Sequence, residues 1–208
     1  MFEEVTVPSV AWQPSLLDAG VPAVATSLSR RVRHTLDTAS WVDHVPGWLT
    51  GSDQVFADLL GAAQWQARQV VMWGRLVAEP RLTARWPAGE LPAVLERIRA
   101  VLEETYGVGF DSVGVNLYRD GRDSVAWHRD RVGSRLRDPL VATVTLGARR
   151  RFLVRPYGGG PTTVTLEPGP GDLIVMGGSC QHDWEHAVPK VASCAPRMAI
   201  TVRHLRTR

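Results

Sequence analysis

The sequence has few cysteines, almost no lysine and no long apolar run, and the first and last of these exclude a class of protein each. Cys180 and Cys194 are the only cysteines among 208 residues. They could pair with each other, but they cannot form the disulfide framework of a small secreted domain. No apolar run approaches the roughly 20 residues that a membrane-spanning helix needs, and the first ten residues lack the basic and apolar regions of a secretory signal. We therefore expect a soluble, cytoplasmic protein that has no membrane partner.

Lysine occurs once, at Lys190, so arginine carries nearly all of the positive charge. Residues 1–110 contain 9 basic and 12 acidic side chains, whereas residues 111–208 contain 15 basic and 9 acidic, which gives net charges of −3 and +6. Arginine pairs well with phosphate and stacks on nucleobases. The C-terminal half thus favours a polyanionic partner, and the alternative is a solvated surface in a chain that uses arginine in place of lysine.

The length of the chain and the positions of its proline and glycine residues predict an N-terminal extension followed by one domain. A chain of 208 residues can bury one sizeable core but is short for two full domains. Proline and glycine repeatedly interrupt residues 1–40, so we predict an N-terminal extension there and a single domain over residues 41–208. Within that domain, helices are expected in residues 41–110 and a β-rich core in residues 111–208.

Two amphipathic segments in the first half predict helices. Apolar side chains recur at helical spacing over Asp53–Gln64, and Ser52 or Asp53 can cap its start. The segment Pro92–Thr105 carries one apolar stripe, and Gly107 can end it. Each segment has one apolar face, which must pack on another layer.

After Phe110 the apolar pattern changes to a period of two. Short segments between glycine, proline and aspartate predict strands at 112–118, 124–128, 140–146, 151–155, 162–166, 172–176 and 197–204. Many short strands favour an antiparallel double sheet, either a sandwich or a jelly roll, with the helices gathered on one side. The predicted fold class is therefore α+β, mainly β.

The segment SVAWHRD, residues 124–130, carries the candidate metal ligands. Side chains on a strand alternate between its faces, so His128 and Asp130 point the same way. A distant histidine would complete a face of two histidines and one carboxylate, which is typical of non-haem Fe(II) oxygenases because coordination positions stay open. His182 and His186 both qualify, since they have the same parity on a strand. The alternative is that these histidines are ordinary hydrogen-bonded side chains.

The C-terminal predicted strand carries two arginines on one face. Arg197 and Arg203 share that face with Ala199 and Thr201, while the residues between them are apolar. Buried arginines need anionic partners, and a dicarboxylate co-substrate would supply two. By the same parity Asn116 and Tyr118 project together from the strand predicted at 112–118, so they are candidate polar anchors in the same cavity.

These segments, taken in order, resemble the AlkB family of Fe(II)/2-oxoglutarate-dependent nucleic-acid dealkylases. The resemblance runs from about residue 41 to 205. It is carried by VPGWL (45–49), PRLTA (80–84), NLY (116–118), DSVAWHRD (123–130), VTLGARRRFLVR (144–155), QHDWEHAVPK (181–190) and RMAITVR (197–203).

The resemblance implies a double-stranded β-helix (jelly roll) with N-terminal helices packed on one sheet. It implies Fe(II), 2-oxoglutarate as co-substrate and O2, and it selects His186 over His182 beside His128 and Asp130 as metal ligand. It further implies that 2-oxoglutarate is bound by four residues, namely Asn116, Tyr118, Arg197 and Arg203. Arg197 is expected on the distal carboxylate, and Arg203 near Asp130.

The residues that would hold the nucleic acid are less sharply indicated. Residues 41–110 contain the segment that resembles the family's nucleotide-recognition region, and Trp86 follows its PRLTA stretch. Trp73 and Trp127 are further aromatic candidates for stacking on a base, with core packing as the alternative, which is favoured for Trp127. Several arginines are candidate phosphate contacts, namely Arg81, Arg129, Arg131 and Arg149 to Arg151.

The expected activity is oxidative dealkylation of N-alkylated bases in DNA, by a monomer. Hydroxylation of the alkyl carbon would release an aldehyde and the intact base, which must leave its stack to reach the iron. The sequence departs from the family at Val132, where several members carry an acidic residue, and at Ala199, where asparagine is common. These departures leave open which base is preferred. Alternatives are the same chemistry on RNA, a protein or a small molecule, or a non-catalytic nucleic-acid-binding module.

Overall fold

The structure of the chain is a computed structural model that describes residues 2–4, 10, 12–14, 20–72, 74–87, 89–132 and 136–205. Side chains are described for these residues except 2–4 and 70–72. Its helices are α1 (Ser52–Ala62), α2 (Ala93–Tyr106) and α3 (Cys180–Asp183). Its strands are β1 (Phe2–Glu4), β2 (Ala23–Val24), β3 (Val32–Thr35), β4 (Ser40–Val45), β5 (Leu49–Thr50), β6 (Gln66–Met72), β7 (Arg75–Arg85), β8 (Ser112–Tyr118), β9 (Val125–His128), β10 (Val141–Gly147), β11 (Phe152–Pro156), β12 (Val164–Leu166), β13 (Leu173–Gly178), β14 (Trp184–Val188) and β15 (Arg197–Arg203).

Two antiparallel sheets form the body of the domain. The large sheet has nine strands in the order β1-β6-β7-β8-β15-β10-β13-β4-β3, and the small sheet has four in the order β12-β11-β14-β9. Strands distant in sequence are neighbours in both sheets, as in a jelly roll. The predicted fold class, mainly β with a double sheet, is confirmed.

Helices α1 and α2 share one core with the large sheet. Phe56 of α1 and Ile98 of α2 lie in the same buried cluster as Met198, Ile200 and Val202 of β15. Helix α2 ends as predicted, because Gly107 adopts a left-handed φ of 68° that closes the last turn. The apolar face of β15 is therefore covered by helices, which leaves its other face for the space between the sheets.

The first half contains strands that the sequence analysis missed. Strand β3 lies before the predicted domain start and pairs with β4 at the edge of the large sheet. Strands β6 and β7 form a hairpin, and β7 continues the sheet beside β8. Their apolar alternation is weak because one face of β7 carries Glu79, Arg81, Thr83 and Arg85, which line a cavity rather than the core.

Candidate active site

Strands β9 and β14 bring the three predicted metal ligands together. His128 lies directly opposite His186 in this antiparallel pair, and their ring centroids are 4.2 Å apart. Asp130 follows β9 by two residues. One ligand atom from each of the three side chains lies within 4.8 Å of the others. Two imidazoles and one carboxylate at this spacing can hold a single divalent transition metal and leave coordination positions open.

The hydrogen bonds of His128 define which nitrogen can bind the metal. Its Nδ1 lies 2.9 Å from the carbonyl oxygen of Ala126 and 3.0 Å from that of His186. Carbonyl oxygens only accept hydrogen bonds, so Nδ1 carries the proton and Nε2 keeps its lone pair. Burial, followed by the neighbouring His128, lowers the pKa of His186 to about 3. The His186 ring is thus neutral, as a metal ligand must be.

Two further side chains hold Asp130. The Nε of Arg203 donates to the carboxylate of Asp130 at 2.8 Å, and the backbone N–H of Asp130 donates to Oε1 of Gln181 at 2.9 Å. Burial would raise the pKa of Asp130, but the charge of Arg203 and its hydrogen bond to the carboxylate oppose burial, and the pKa is lowered. The carboxylate is therefore ionised and oriented before any metal arrives. Gln181, which is only 3% exposed, had no role in the sequence analysis.

His182 is placed away from this group. It lies in α3, and its Nε2 is 2.8 Å from the carbonyl oxygen of Leu136. Residues 182 and 186 would share a face only on one continuous strand, but the short helix ends at Asp183 and β14 begins after it. Among the residues that the structure describes, His128, Asp130 and His186 are the group whose spacing suits a metal ion.

A cavity of about 880 Å³ between the sheets contains this group. The four residues predicted to bind 2-oxoglutarate all line it, and they come from β8 and β15 in register: Tyr118 lies opposite Arg197 and Asn116 opposite Ala199. The predicted shared face of β15 is thus observed, since Arg197, Ala199, Thr201 and Arg203 all line the cavity.

Arg197 has the environment of a residue that binds an anion. It is 1% exposed, and its Nε and Nη1 are buried with no hydrogen-bond partner. Burial lowers its pKa, which reflects the cost of a charge held away from water. A dicarboxylate would supply the missing acceptors, so the residues present fit 2-oxoglutarate. The assignment of individual side chains to that co-substrate remains a prediction.

The predicted nucleic-acid contacts fall in different places. Arg81, Arg129 and Arg131 line the cavity, and Arg81 donates from its Nε to Asn116 at 3.3 Å and forms an ion pair of 2.9 Å with Glu79. Trp86 does not line the cavity, because its partly buried side chain packs against the core around α1 and α2. Trp73 lies outside the described residues.

The remaining candidates serve the fold or the outer surface. Arg150 is buried and donates to the backbone carbonyls of Asp120, Asp123 and Pro189. Arg149 donates to the carbonyl of Glu167. Trp127 is partly exposed rather than part of the core, and Arg155 lies over its ring at 4.1 Å. Arg151 is exposed and does not line the cavity.

Comparison with known proteins adds to this geometry. The family model described as the 2OG-Fe(II) oxygenase superfamily matches residues 44–206. The chain belongs to this superfamily. Fe(II), 2-oxoglutarate and O2 are therefore its cofactor and co-substrates, as predicted. A prolyl hydroxylase from Trichoplax adhaerens, solved with a hypoxia inducible factor peptide, superposes with a TM-score of 0.59 at 12% identity over 79% of this chain and 83% of that one, which shows a shared fold.

Relatives within the superfamily carry AlkB names. The alpha-ketoglutarate-dependent dioxygenase alkB homolog 3 of Bos taurus is 35% identical over 76% of this chain, and that of Homo sapiens is 34% identical over 73%. The DNA oxidative demethylase ALKBH2 of Mus musculus is 33% identical over 54% of this chain and 50% of its own length. The resemblance to the AlkB family is confirmed. This chain spans 64% and 61% of the two alkB homolog 3 proteins, which is less than two thirds of their length.

In the described part of the chain, no helix combines the length and apolar character needed to cross a bilayer. Cys180 and Cys194 are both free, and Cys180 is buried.

Proposed function

We propose that this protein oxidatively dealkylates N-alkylated bases in DNA, and so reverses alkylation damage directly. One observation carries the proposal. A group of two histidines and one aspartate opens into an arginine-lined cavity of about 880 Å³. The name of its ALKBH2 relative, a DNA oxidative demethylase, supports the same conclusion.

The charge of the cavity suits a nucleic acid. Seven arginines and two carboxylates line it among the described residues, and the carboxylates are Glu79 and the metal ligand Asp130. Burial, with the charges of Arg203 and Arg68, lowers the pKa of Arg85, so these cations repel one another in the absence of an anion. A phosphate backbone at the mouth would relieve this repulsion and release counterions from the nucleic acid.

The residues divide the work of catalysis by position. His128, Asp130 and His186 would hold Fe(II), and Arg197 would orient the distal carboxylate of 2-oxoglutarate through a charge-assisted pair. Arg203 holds Asp130 in its ionised form. Fe(II) with 2-oxoglutarate and O2 supplies the oxidising power that hydroxylates an alkyl carbon. The walls of the cavity would position the base and the co-substrate beside the metal.

The damaged base must leave its stack to enter this cavity. The departure at Val132 removes an acidic group from the base-reading position of the family, and Val132 packs against the smaller core instead. Extrusion costs a few kcal/mol and less for a lesion that already weakens pairing. Single-stranded DNA lowers this cost further, so we expect it to be the better substrate.

The test uses the protein with Fe(II), 2-oxoglutarate and air. Single-stranded DNA and RNA oligonucleotides carrying 3-methylcytosine or 1-methyladenine are followed by mass spectrometry. Loss of the methyl group from DNA supports the proposal. Succinate formation with an unchanged DNA mass, or removal of methyl groups from RNA alone, contradicts it.

A matched pair of variants links any activity to this site. His186→Ala removes a ligand of the metal group and should abolish turnover, whereas His182→Ala removes only a hydrogen bond to Leu136 and should retain it. Equal losses in both variants would assign the activity elsewhere.

A further inference from the structure

An exposed tyrosine ring is stacked on an arginine that lines the cavity. The guanidinium carbon of Arg129 lies 3.6 Å from the centroid of the Tyr157 ring. Arg129 lines the cavity and stands between the metal ligands His128 and Asp130. Tyr157 is 57% exposed, which is unusual for so large an aromatic side chain.

Arg129, through its side chain, and Tyr157, through its backbone, are anchored on the same short helix. Arg129 donates from Nη1 to the carbonyl of His182 at 2.6 Å, and the backbone N–H of Tyr157 donates to the carbonyl of Asp183 at 2.8 Å. The pair is therefore fixed relative to α3, which also carries Gln181 and thus touches Asp130. Its position relative to the metal group is set by hydrogen bonds rather than by chance contact.

The Tyr157 ring is exposed beside a loop that is open in the part of the chain that the structure describes. Gly158, Gly159 and Gly160 follow Tyr157 with φ values of 88°, 118° and 112°, and a Cβ added to any of them would meet no atom within 4 Å. The loop that leaves the ring is thus open. More than half of the Tyr157 side chain is therefore accessible to a flat ligand.

We propose that Arg129 and Tyr157 form a stacking platform for a nucleobase next to the one that enters the cavity. This inference rests on the proposed function and adds residues to it. A base stacked on the free face of the Tyr157 ring, whose other face carries the Arg129 guanidinium, combines stacking and cation–π contacts. The platform is sequence-tolerant, because every base offers a flat face. It holds an unpaired neighbouring base, so it selects single-stranded over double-stranded nucleic acid.

The test measures the binding of a short fluorescein-labelled DNA strand that carries 3-methylcytosine. The protein is loaded with Mn(II) and 2-oxoglutarate, so that nothing turns over, and fluorescence anisotropy gives Kd. Tyr157→Ala should weaken binding about tenfold, in the range that removal of one base–aromatic contact produces. Tyr157→Phe should bind like the wild type. Arg129→Lys keeps the charge but loses the flat guanidinium, so it should weaken binding as well.

Salt dependence separates stacking from charge. Tyr157→Ala should leave the slope of log Kd against log salt unchanged, because no phosphate contact is lost. Arg131→Ala, at another residue that lines the cavity, should reduce that slope by about 0.7. Val32→Ala serves as the surface control, since Val32 is 51% exposed on an edge strand and does not line the cavity.

Three outcomes overturn the platform. They are wild-type affinity in Tyr157→Ala, a loss in Tyr157→Phe as large as that in Tyr157→Ala, and an equal loss for double-stranded DNA. If the wild type demethylates DNA while Tyr157→Ala binds equally well, the platform alone is wrong. If the wild type neither binds nor demethylates DNA, the proposed function is wrong too.

Discussion

Replacing Arg197 by methionine should make the unliganded protein more stable while removing its response to 2-oxoglutarate. Arg197 is 1% exposed and has two nitrogens without hydrogen-bond partners. Methionine fills a similar volume without a buried charge, and such replacements stabilise a protein by about 1–4 kcal/mol. If the free energy of unfolding increases by about 2 kcal/mol, the melting temperature of a chain of this size should rise by about 4–8 °C.

The response to the co-substrate should change in the opposite direction. Under nitrogen with Fe(II), 2-oxoglutarate at about 100 times its Kd stabilises a protein by about 2.7 kcal/mol, which corresponds to about 5–10 °C here. Arg197→Met removes the charged partner of the distal carboxylate, so this shift should disappear. The shift caused by Fe(II) alone should remain, because the metal ligands are unchanged. Differential scanning fluorimetry measures the melting temperature of the unliganded protein and the shifts that 2-oxoglutarate and Fe(II) cause.

A second buried arginine supplies the control. Arg150 is 3% exposed but donates to three backbone carbonyls. Arg150→Met leaves those carbonyls without their donor, so it should destabilise the protein by at least about 1–3 kcal/mol. If Arg197→Met lowered the melting temperature as Arg150→Met does, or kept the full 2-oxoglutarate shift, the reasoning about an anion-binding arginine would be refuted.

Two more predictions concern groups that hold the site and the sheet. Gln181→Ala removes the acceptor for the backbone N–H of Asp130, so calorimetry should show that the affinity for Mn(II) falls by about 10- to 100-fold. Gln54→Ala, at an exposed residue, is the control. Equal Mn(II) affinity in the two variants would show that Gln181 does not position Asp130. Asp172→Asn should lower the free energy of unfolding by about 2 kcal/mol at neutral pH. Burial would raise the pKa of Asp172, but its hydrogen bonds, first to His44 and then to two backbone amides, lower that pKa. A lowered folded-state pKa gives stabilisation that is complete above the unfolded value of about 4 and is lost as the pH falls below it, so urea titrations should show the difference between the two proteins shrinking in acid and not in base.

The β-rich core and its metal group could be predicted because their signals are local. The strand predicted at 112–118 is β8, and the one predicted at 197–204 is β15 to within a residue. Period-two alternation survives there because one face packs on helices and the other faces a cavity. The same alternation placed His128 and Asp130 on one side, and the motifs of the family supplied His186.

The rest depends on contacts that no local pattern records. Asp43 is completely buried in β4, and it is tolerated there because Arg33 of the neighbouring strand donates to it at 2.7 Å. Gln181 meets Asp130 across 51 residues of sequence. Trp86 follows a segment that resembles the nucleotide-recognition region, yet its side chain packs against the main core, because the alternating faces of β7 are divided between cavity and core.

The arrangement on which the activity depends is one iron held by three distant side chains with a keto acid beside it. An anaerobic titration of the protein with Fe(II) and 2-oxoglutarate tests it, because a 2-oxo acid chelated to Fe(II) gives a visible charge-transfer band. The band should saturate at a single Fe(II) per chain, be absent in His186→Ala and persist in His182→Ala. A band that survives loss of His186, or that never forms in the wild type, would contradict the account.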